Sequence, residues 1–529
     1  MGERMLHSGF LTSVDAHPDN AALYVDGKLL SYRELYGRSC DVANTLLELG
    51  VNTNGRCLLY GYRSEEVYTG VLGILMAGMA YVPLNPNYPA NRNLSIITYS
   101  SSSVIIVDPL CENNLEGLLD AVDKRLTVVL FSNKNLVSYT QSYPEHSFMS
   151  INSDGLARLP QVSLEEQHLA YILFTSGTTG QPKGVPISHS NASSYIHNIT
   201  STYPIPAGSR FTQFFDLTFD LSVHDMFVCW TVGGCLYVVP EDELYQPADF
   251  VVRNHISHWF SVPSTAALLN QFRKLKPGVF PDLSMTMFCG EALPTEIARL
   301  WMAAAPNTML VNLYGPTEAT IAFTHYEVDR QGLDTITTAM VPIGVPLKGQ
   351  DVVIIDTQQD SLVTSEKGEL LLGGDQLSCG YLHASDKEKD RFFSASFNGY
   401  ESKRWYRTGD IVSQSKEHGL VFHGRLDKQI KIRGYRVEIH EVESVLRTNC
   451  NASMCAVVPW LLDKNGSPLE LVAFLSGVDK TEAEVITACK AFMPDYMVPG
   501  NVYFLDRLPL NDNGKVDYNK LVSKCEQMA

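Results

Sequence analysis

The sequence predicts an α/β protein, with a large N-terminal domain of layered α/β subdomains plus a β-rich subdomain, followed by a small C-terminal α/β domain. Three observations lead there. Helix-like and strand-like segments alternate from Phe10 to about Pro160, the pattern of helices layered on a sheet. Short strands and turns crowd Val341–Val421, and a run of seven charged residues in fifteen, Gly424–Glu438, precedes a final stretch where helix and strand patterns resume. That run sets the boundary, giving domains 1–426 and 427–529 with a hinge near Asp427.

At 529 residues, 45% hydrophobic and 19% charged, the chain can bury a large core. A formal charge of -17 excludes non-specific attraction to nucleic acid or anionic membrane, so any anion must be met by a local site. Eleven cysteines, an odd number without a C-x-x-C pair, fit reduced thiols in a cytosol. Met1–Phe10 lacks a signal-peptide core, and Val71–Tyr81 is too short and glycine-interrupted to span a bilayer, so a soluble cytoplasmic protein without membrane insertion is expected.

Taken in order, Ser31 followed by Glu34 forms a capping box, and Val42, Leu46, Leu47 and Leu49 continue at helical spacing. Cys57–Tyr60 and Val104–Val107 read as buried strands, Glu66–Met79 as a helix, and Tyr81–Pro86, with two prolines, as a loop. Tyr171–Phe174 reads as a strand that gives way to Thr175–Gly184, a loop of hydroxyls, three glycines and Lys183. Glycines free the backbone to aim successive N–H groups at one anion, so this loop suits phosphate. Its spacing is not G-x-x-x-x-G-K-[ST], which implies a different nucleotide site.

Asp220, in apolar Phe219–Phe227, reads as a helix cap or as a partly buried carboxylate awaiting an ammonium; the residues alone lean toward the cap. His224 and Asp225 read as packed side chains before a metal or acid–base pair. Phe288–Pro294 and Leu310–Ile321 are each a strand ending in a Gly-containing turn with a glutamate, Glu291 and Glu318. Ligands of open α/β sheets sit at the carboxyl ends of strands, so these turns and the 175–184 loop suit one cleft, with Glu318 able to bind Mg²⁺ between phosphates. Leu372–Leu377 superficially suggests a carrier attachment site, but Gln376 stands where a serine is needed. Asp410 ends a strand and suits vicinal ribose hydroxyls.

Together, Thr175–Gly184, Phe219–Phe227, Tyr314–Glu318, Tyr406–Asp410, Gly424–Glu438 and Asn513–Lys515, in this order, resemble the adenylate-forming superfamily, specifically the amino-acid adenylation domains of nonribosomal peptide synthetases. The resemblance spans nearly the whole chain. It implies an AMP-forming ligase with a mobile C-terminal domain: a carboxylate attacks the α-phosphorus of ATP, and a phosphopantetheine thiol then displaces AMP.

The resemblance assigns Lys515 to the bridge between carboxylate and α-phosphate, and Thr175, Ser176, Gly177, Thr178, Thr179, Gly180 and Lys183 to the phosphates. Glu318 with Thr317 or Thr179 takes Mg²⁺. Asp410 and Arg425 take the ribose; Gly290, Glu291, Ala292, Asn312, Tyr314, Gly315 and Phe422 complete the nucleotide site. Asp220 pairs with a substrate ammonium, which reverses the cap reading. Leu221, His224, Ser264, Met287, Cys289, Leu313, Ile321 and Ala322 line the substrate pocket. The length of Met287, Leu313 and His224 leaves little room and implies a small amino acid, glycine before alanine, with proline as an alternative. Phe219–Ser222 and Phe288–Pro294 further resemble the free-standing D-alanine–carrier-protein ligases of cell-wall teichoic acid modification, and in role the chain is similar to a glycine–carrier-protein ligase serving lipid A modification. A separate phosphopantetheinylated carrier protein is the expected partner, and an acyl-CoA ligase using free coenzyme A is the alternative activity.

Overall fold

The computed structural model describes all residues except 1–4, 51, 53, 153–158, 160, 161, 178–181, 331, 335, 358–361, 398, 428, 451, 463–467, 511–515 and 529. The α/β class read from the sequence holds. The chain forms two compact units, one of residues 1–86, 97–173 and 184–426, the other of 87–96, 174–183 and 427–529.

The first unit carries three sheets. A seven-stranded sheet has the order Ser147–Ser150, Thr127–Leu130, Val104–Val107, Arg56–Tyr60, Ala80–Leu84, Leu169–Thr175, Lys183–Ser188. A nine-stranded sheet is parallel from Ala21–Val25 through Met309–Tyr314 and antiparallel at both edges. A five-stranded antiparallel sheet, 350–425, is the β-rich subdomain, built around the long strand Tyr400–Ser415.

Local chemistry explains most boundaries. Ser31 and Glu34 complete their capping box at the helix Tyr32–Glu48, which buries Val42 and Leu46. Ser64 caps Glu65–Met76 through the Val67 N–H. The predicted loop Tyr81–Pro86 is corrected: Ala80–Leu84 is a fully buried strand beside Arg56–Tyr60, with Pro83 opposite Leu59. On its other side the ladder to Leu169–Thr175 registers only at Tyr81–Tyr171, so a residue lacking an N–H is tolerated two positions on.

The second unit's 427–529 portion holds the hairpin Gln429–Ile432/Tyr435–Glu438 and a three-stranded sheet with the helices Ile439–Cys450, Glu482–Lys490 and Tyr518–Met528. Its core gathers Val437, Val442, Leu446, Val457, Leu471, Val485 and Val502. None of the eleven cysteines is in a disulfide, and only Cys379 is exposed. Among the described residues no helix is long and apolar enough to cross a membrane.

Candidate functional site

Strand alternation sorts the residues at the nine-stranded sheet. Met287 and Cys289 point to one side and Phe288 to the other, and the neighbouring strand does likewise with Val311 and Leu313 against Leu310. Met287, Cys289, Leu313, Ile321, Ala322 and Leu221 thus share one buried cluster with Tyr81, Tyr171 and Tyr195. None of these six predicted pocket residues, nor His224, is more than 4% exposed. Ser264 is half-buried, and its N–H donates to Glu291 Oε2 at 2.9 Å.

Asp220 stands at the N-cap position of the helix Leu221–Thr231, yet its side chain makes no cap hydrogen bond. It is buried, and its charge helps push the Tyr81, Tyr171 and Tyr195 hydroxyls upward, after burial itself. The Tyr81 and Tyr171 hydroxyls have no hydrogen-bond partner among the described residues. His224, one turn on, lies 2.7 Å through Nδ1 from the Tyr195 hydroxyl. Burial, then His258, lowers His224 to about 3, so its ring is neutral at neutral pH. Asp225 is fully buried, and burial holds its carboxyl well above the usual range, which fits a packed group.

The turn after Met309–Tyr314 is strained. Thr320 and Ile321 are β-branched, yet both have positive φ, 59° and 70°. Gln376 holds this turn: its Nε2 donates to the Ala322 carbonyl at 2.7 Å, and its own carbonyl accepts from Thr320 Oγ1 at 2.6 Å. Gly315 is obligatory, because a Cβ there would lie 2.6 Å from Ala322 Cα. Gly290 adopts φ +90°, and it, Glu291 and Ala292 are half-buried at the end of their strand.

Glu318 is fully buried and accepts a 2.6 Å hydrogen bond from the Tyr381 hydroxyl on Oε1. Thr317 is half-buried beside it in the short helix Thr317–Ala319. Among the described residues no group of three His, Cys, Asp or Glu could hold a metal. A single carboxylate suits Mg²⁺, which commonly takes one or two carboxylates and completes its shell with phosphates and water.

Tyr314, Asp410 and Arg425 come together. Asp410 Oδ2 accepts from the Tyr314 hydroxyl at 2.5 Å and Oδ1 from Arg425 Nη1 at 2.5 Å. Burial first, then the Asp410 charge, keeps Tyr314 protonated as a donor. The turn before Asp410 is shaped by Glu369, which accepts from Arg407 Nη1 and from the Gly409 N–H. Each carboxylate oxygen has a second lone pair, so Asp410 can still accept from a vicinal diol. Phe422 packs in the same cluster as Tyr314. Asn312 is turned elsewhere: its Nδ2 donates to the Pro342 carbonyl at 2.9 Å, while Oδ1 is buried without a partner among the described residues.

In the second unit, Thr175 Oγ1 is buried without a partner among the described residues, a donor suited to an anion. Ser176 Oγ donates to the Arg436 carbonyl at 2.8 Å, and the Gly177 N–H donates to Glu441 Oε2 at 2.9 Å. Glu441 also pairs with Arg92 at 2.7 Å, both buried. Lys183 is buried. Thr178, Thr179, Gly180 and Lys515 lie outside the described residues. Sequence reasoning missed Tyr195, Tyr381 and the turn-supporting role of Gln376.

Two family models match the chain: AMP-binding enzyme over residues 10–382 and AMP-binding enzyme C-terminal domain over residues 441–515. Malpinin synthetase of Mortierella alpina is 33% identical over 541 residues, covering 98% of this chain, which spans 7% of that protein. D-alanine–D-alanyl carrier protein ligase of Bacillus licheniformis is 30% identical over 514 residues, covering 95% of this chain and 96% of the relative. L-proline–[L-prolyl-carrier protein] ligase of Pseudomonas fluorescens is 30% identical over 530 residues, with 99% and 100% covered. The crystal structure of the Vibrio cholerae adenylation domain AlmE in complex with glycyl-adenosine-5'-phosphate superposes with a TM-score of 0.90 at 32% identity, covering 100% of this chain and 98% of that one.

Proposed function

The chain belongs to the AMP-binding enzyme family, and from that membership we propose that it is an amino acid–carrier-protein ligase. It activates a small amino acid with ATP, glycine before alanine, and transfers it to the phosphopantetheine thiol of a separate carrier protein. The observation that carries the choice of a small substrate is the burial of the predicted pocket residues: Leu221, His224, Met287, Cys289, Leu313, Ile321 and Ala322 are each at most 4% exposed and leave almost no surface open even to water. An ammonium and carboxylate with no side chain beyond hydrogen need the least space there. The similar structure with glycyl-adenosine-5'-phosphate supports glycine, while the D-alanine and L-proline ligases among the relatives keep alanine and proline as further members of the panel to test.

In this reading Asp220 holds the α-ammonium, since a buried carboxylate gains most from a charged partner. The substrate carboxylate attacks the α-phosphorus, and pyrophosphate leaves. Lys515 offsets the charge shared between carboxylate and α-phosphate, and Thr175–Lys183 meets the β- and γ-phosphates. Glu318, with Thr317 or Thr179, would hold Mg²⁺, which supplies positive charge to the phosphates when bound. Asp410 and Arg425 orient the ribose; Gly290–Ala292, Tyr314, Gly315 and Phe422 flank the base. Asn312 shapes this site from beneath, through the backbone of 341–342. Domain 427–529 turns about Asp427 between the two half-reactions, and the carrier thiol sulfur then attacks the acyl carbonyl, releasing AMP. Alignment and charge stabilisation provide most of such catalysis.

The acceptor is tested by supplying ATP, Mg²⁺ and radiolabelled glycine with purified carrier proteins in phosphopantetheinylated form, in unmodified form, or with free coenzyme A. Label is expected as a base-labile thioester on a phosphopantetheinylated carrier alone. Glycyl-coenzyme A formed at a comparable rate would make the protein an acyl-CoA ligase instead.

A further inference from the structure

We propose that Tyr195 sets the substrate size limit by fixing the His224 ring across the space that an amino-acid side chain would enter. This rests on reading the Asp220 site as an amino-acid pocket. Tyr195 belongs to the helix His189–Thr202, outside every motif that the sequence singled out. It reaches the site by folding alone.

The geometry explains how. Asp220 and His224 are four residues apart at the start of one helix, so they stand on one face of it. An imidazole there has several rotamers, some of which would vacate the space. Two contacts remove that freedom. The Tyr195 hydroxyl lies 2.7 Å from His224 Nδ1, and the His224 and Phe260 ring centroids are 4.0 Å apart. All three rings are buried, and Tyr195 is wholly so. The hydroxyl of Tyr195 is pushed up by burial first and then by Cys289 and Asp220, which places it electrostatically among the predicted pocket residues. Because burial keeps His224 neutral, the ring acts as a wall and a hydrogen-bonding group, and supplies no cation for an acidic side chain.

A wall that is fixed discriminates better than one that yields. A hydrophobic pocket rejects one extra methylene by about 10–200-fold, and that margin is lost when the wall can swing aside. Tyr195 therefore acts through His224 as a positioning residue, and its effect belongs in the ratio of substrates.

The test uses the full chain in amino-acid-dependent ATP–pyrophosphate exchange with glycine, alanine, serine and 2-aminobutyrate. Tyr195→Phe keeps the ring and removes only the hydroxyl. It is expected to raise kcat/KM for alanine relative to glycine about tenfold, with 2-aminobutyrate rising in the same direction. His224→Ala should do at least as much, and adding Tyr195→Phe to it should change the ratio little further, the signature of two residues acting as one. Tyr195→Ala is a secondary variant, and Tyr195→Phe decides the matter if that one fails to fold. An unchanged alanine-to-glycine ratio in Tyr195→Phe, or an effect that persists undiminished without His224, overturns the role of Tyr195 while leaving the amino-acid reading intact. Wild-type protein that exchanges with no amino acid overturns both.

Discussion

Asp220→Asn is expected to lose about 10²–10⁴-fold in kcat/KM for the amino acid, with the KM for ATP nearly unchanged. The size follows from what is removed: truncating one partner of a buried charge pair costs about 3–5 kcal/mol, because the other charge stays buried without compensation. Here the charge left over is the substrate ammonium. Asp220 is 9% exposed and its side chain makes no cap bond to the helix it begins, so the substitution removes no helix cap. The loss should fall mainly on KM, since the ammonium is bound in ground and transition states alike. Pyrophosphate exchange at varied amino acid and at varied ATP separates the two substrates, and a thermal melt checks that the fold persists. A variant with the wild-type KM for its amino acid would remove Asp220 from ammonium recognition.

Lys515→Ala is expected to lower adenylate formation about 10²–10³-fold, the typical effect of deleting one group that stabilises transition-state charge. Lys515 lies outside the described residues, but its neighbours are tied down: Leu510 and Val516 form an antiparallel bridge, and the Asp517 N–H donates to the Pro509 carbonyl at 2.8 Å. The substitution should therefore leave the fold intact. Its signature is a split between half-reactions. Pyrophosphate exchange collapses, while transfer from a preformed glycyl-adenylate to the carrier continues at a rate within a few-fold of wild type, because the lysine is needed only while the carboxylate and the α-phosphate share charge. Equal losses in both steps would assign Lys515 a structural role.

How much of this was legible in the sequence depended on whether a feature was local. The capping box Ser31/Glu34, the buried strands at 56–60 and 104–107, and the strand-turn motifs at 285–290 and 309–315 were readable, because each is set by residues a few positions apart. Pro83 misled, since its lack of an N–H argues against a strand, and only the early end of the ladder to the next strand tolerates it. Asp220 was ambiguous, because a carboxylate before a helix has a strong capping propensity that the folded chain does not use. Tyr195 beside His224, Tyr381 on Glu318, and Gln376 across the 319–322 turn were invisible. Each joins residues 29, 63 or 54 positions apart, so no periodicity or spacing announces it. Gln376 illustrates the point: at the position where a carrier attachment site would need serine, its amide supports the turn that presents Ile321 and Ala322.

The central claim, activation of a small amino acid, is tested most directly by wild-type ATP–pyrophosphate exchange across glycine, alanine, serine, proline, valine and phenylalanine. Glycine is expected to give the highest kcat/KM, alanine to follow about tenfold or more below it, and phenylalanine to give no exchange above background. Strong exchange with valine or phenylalanine, and none with glycine or alanine, would contradict the account.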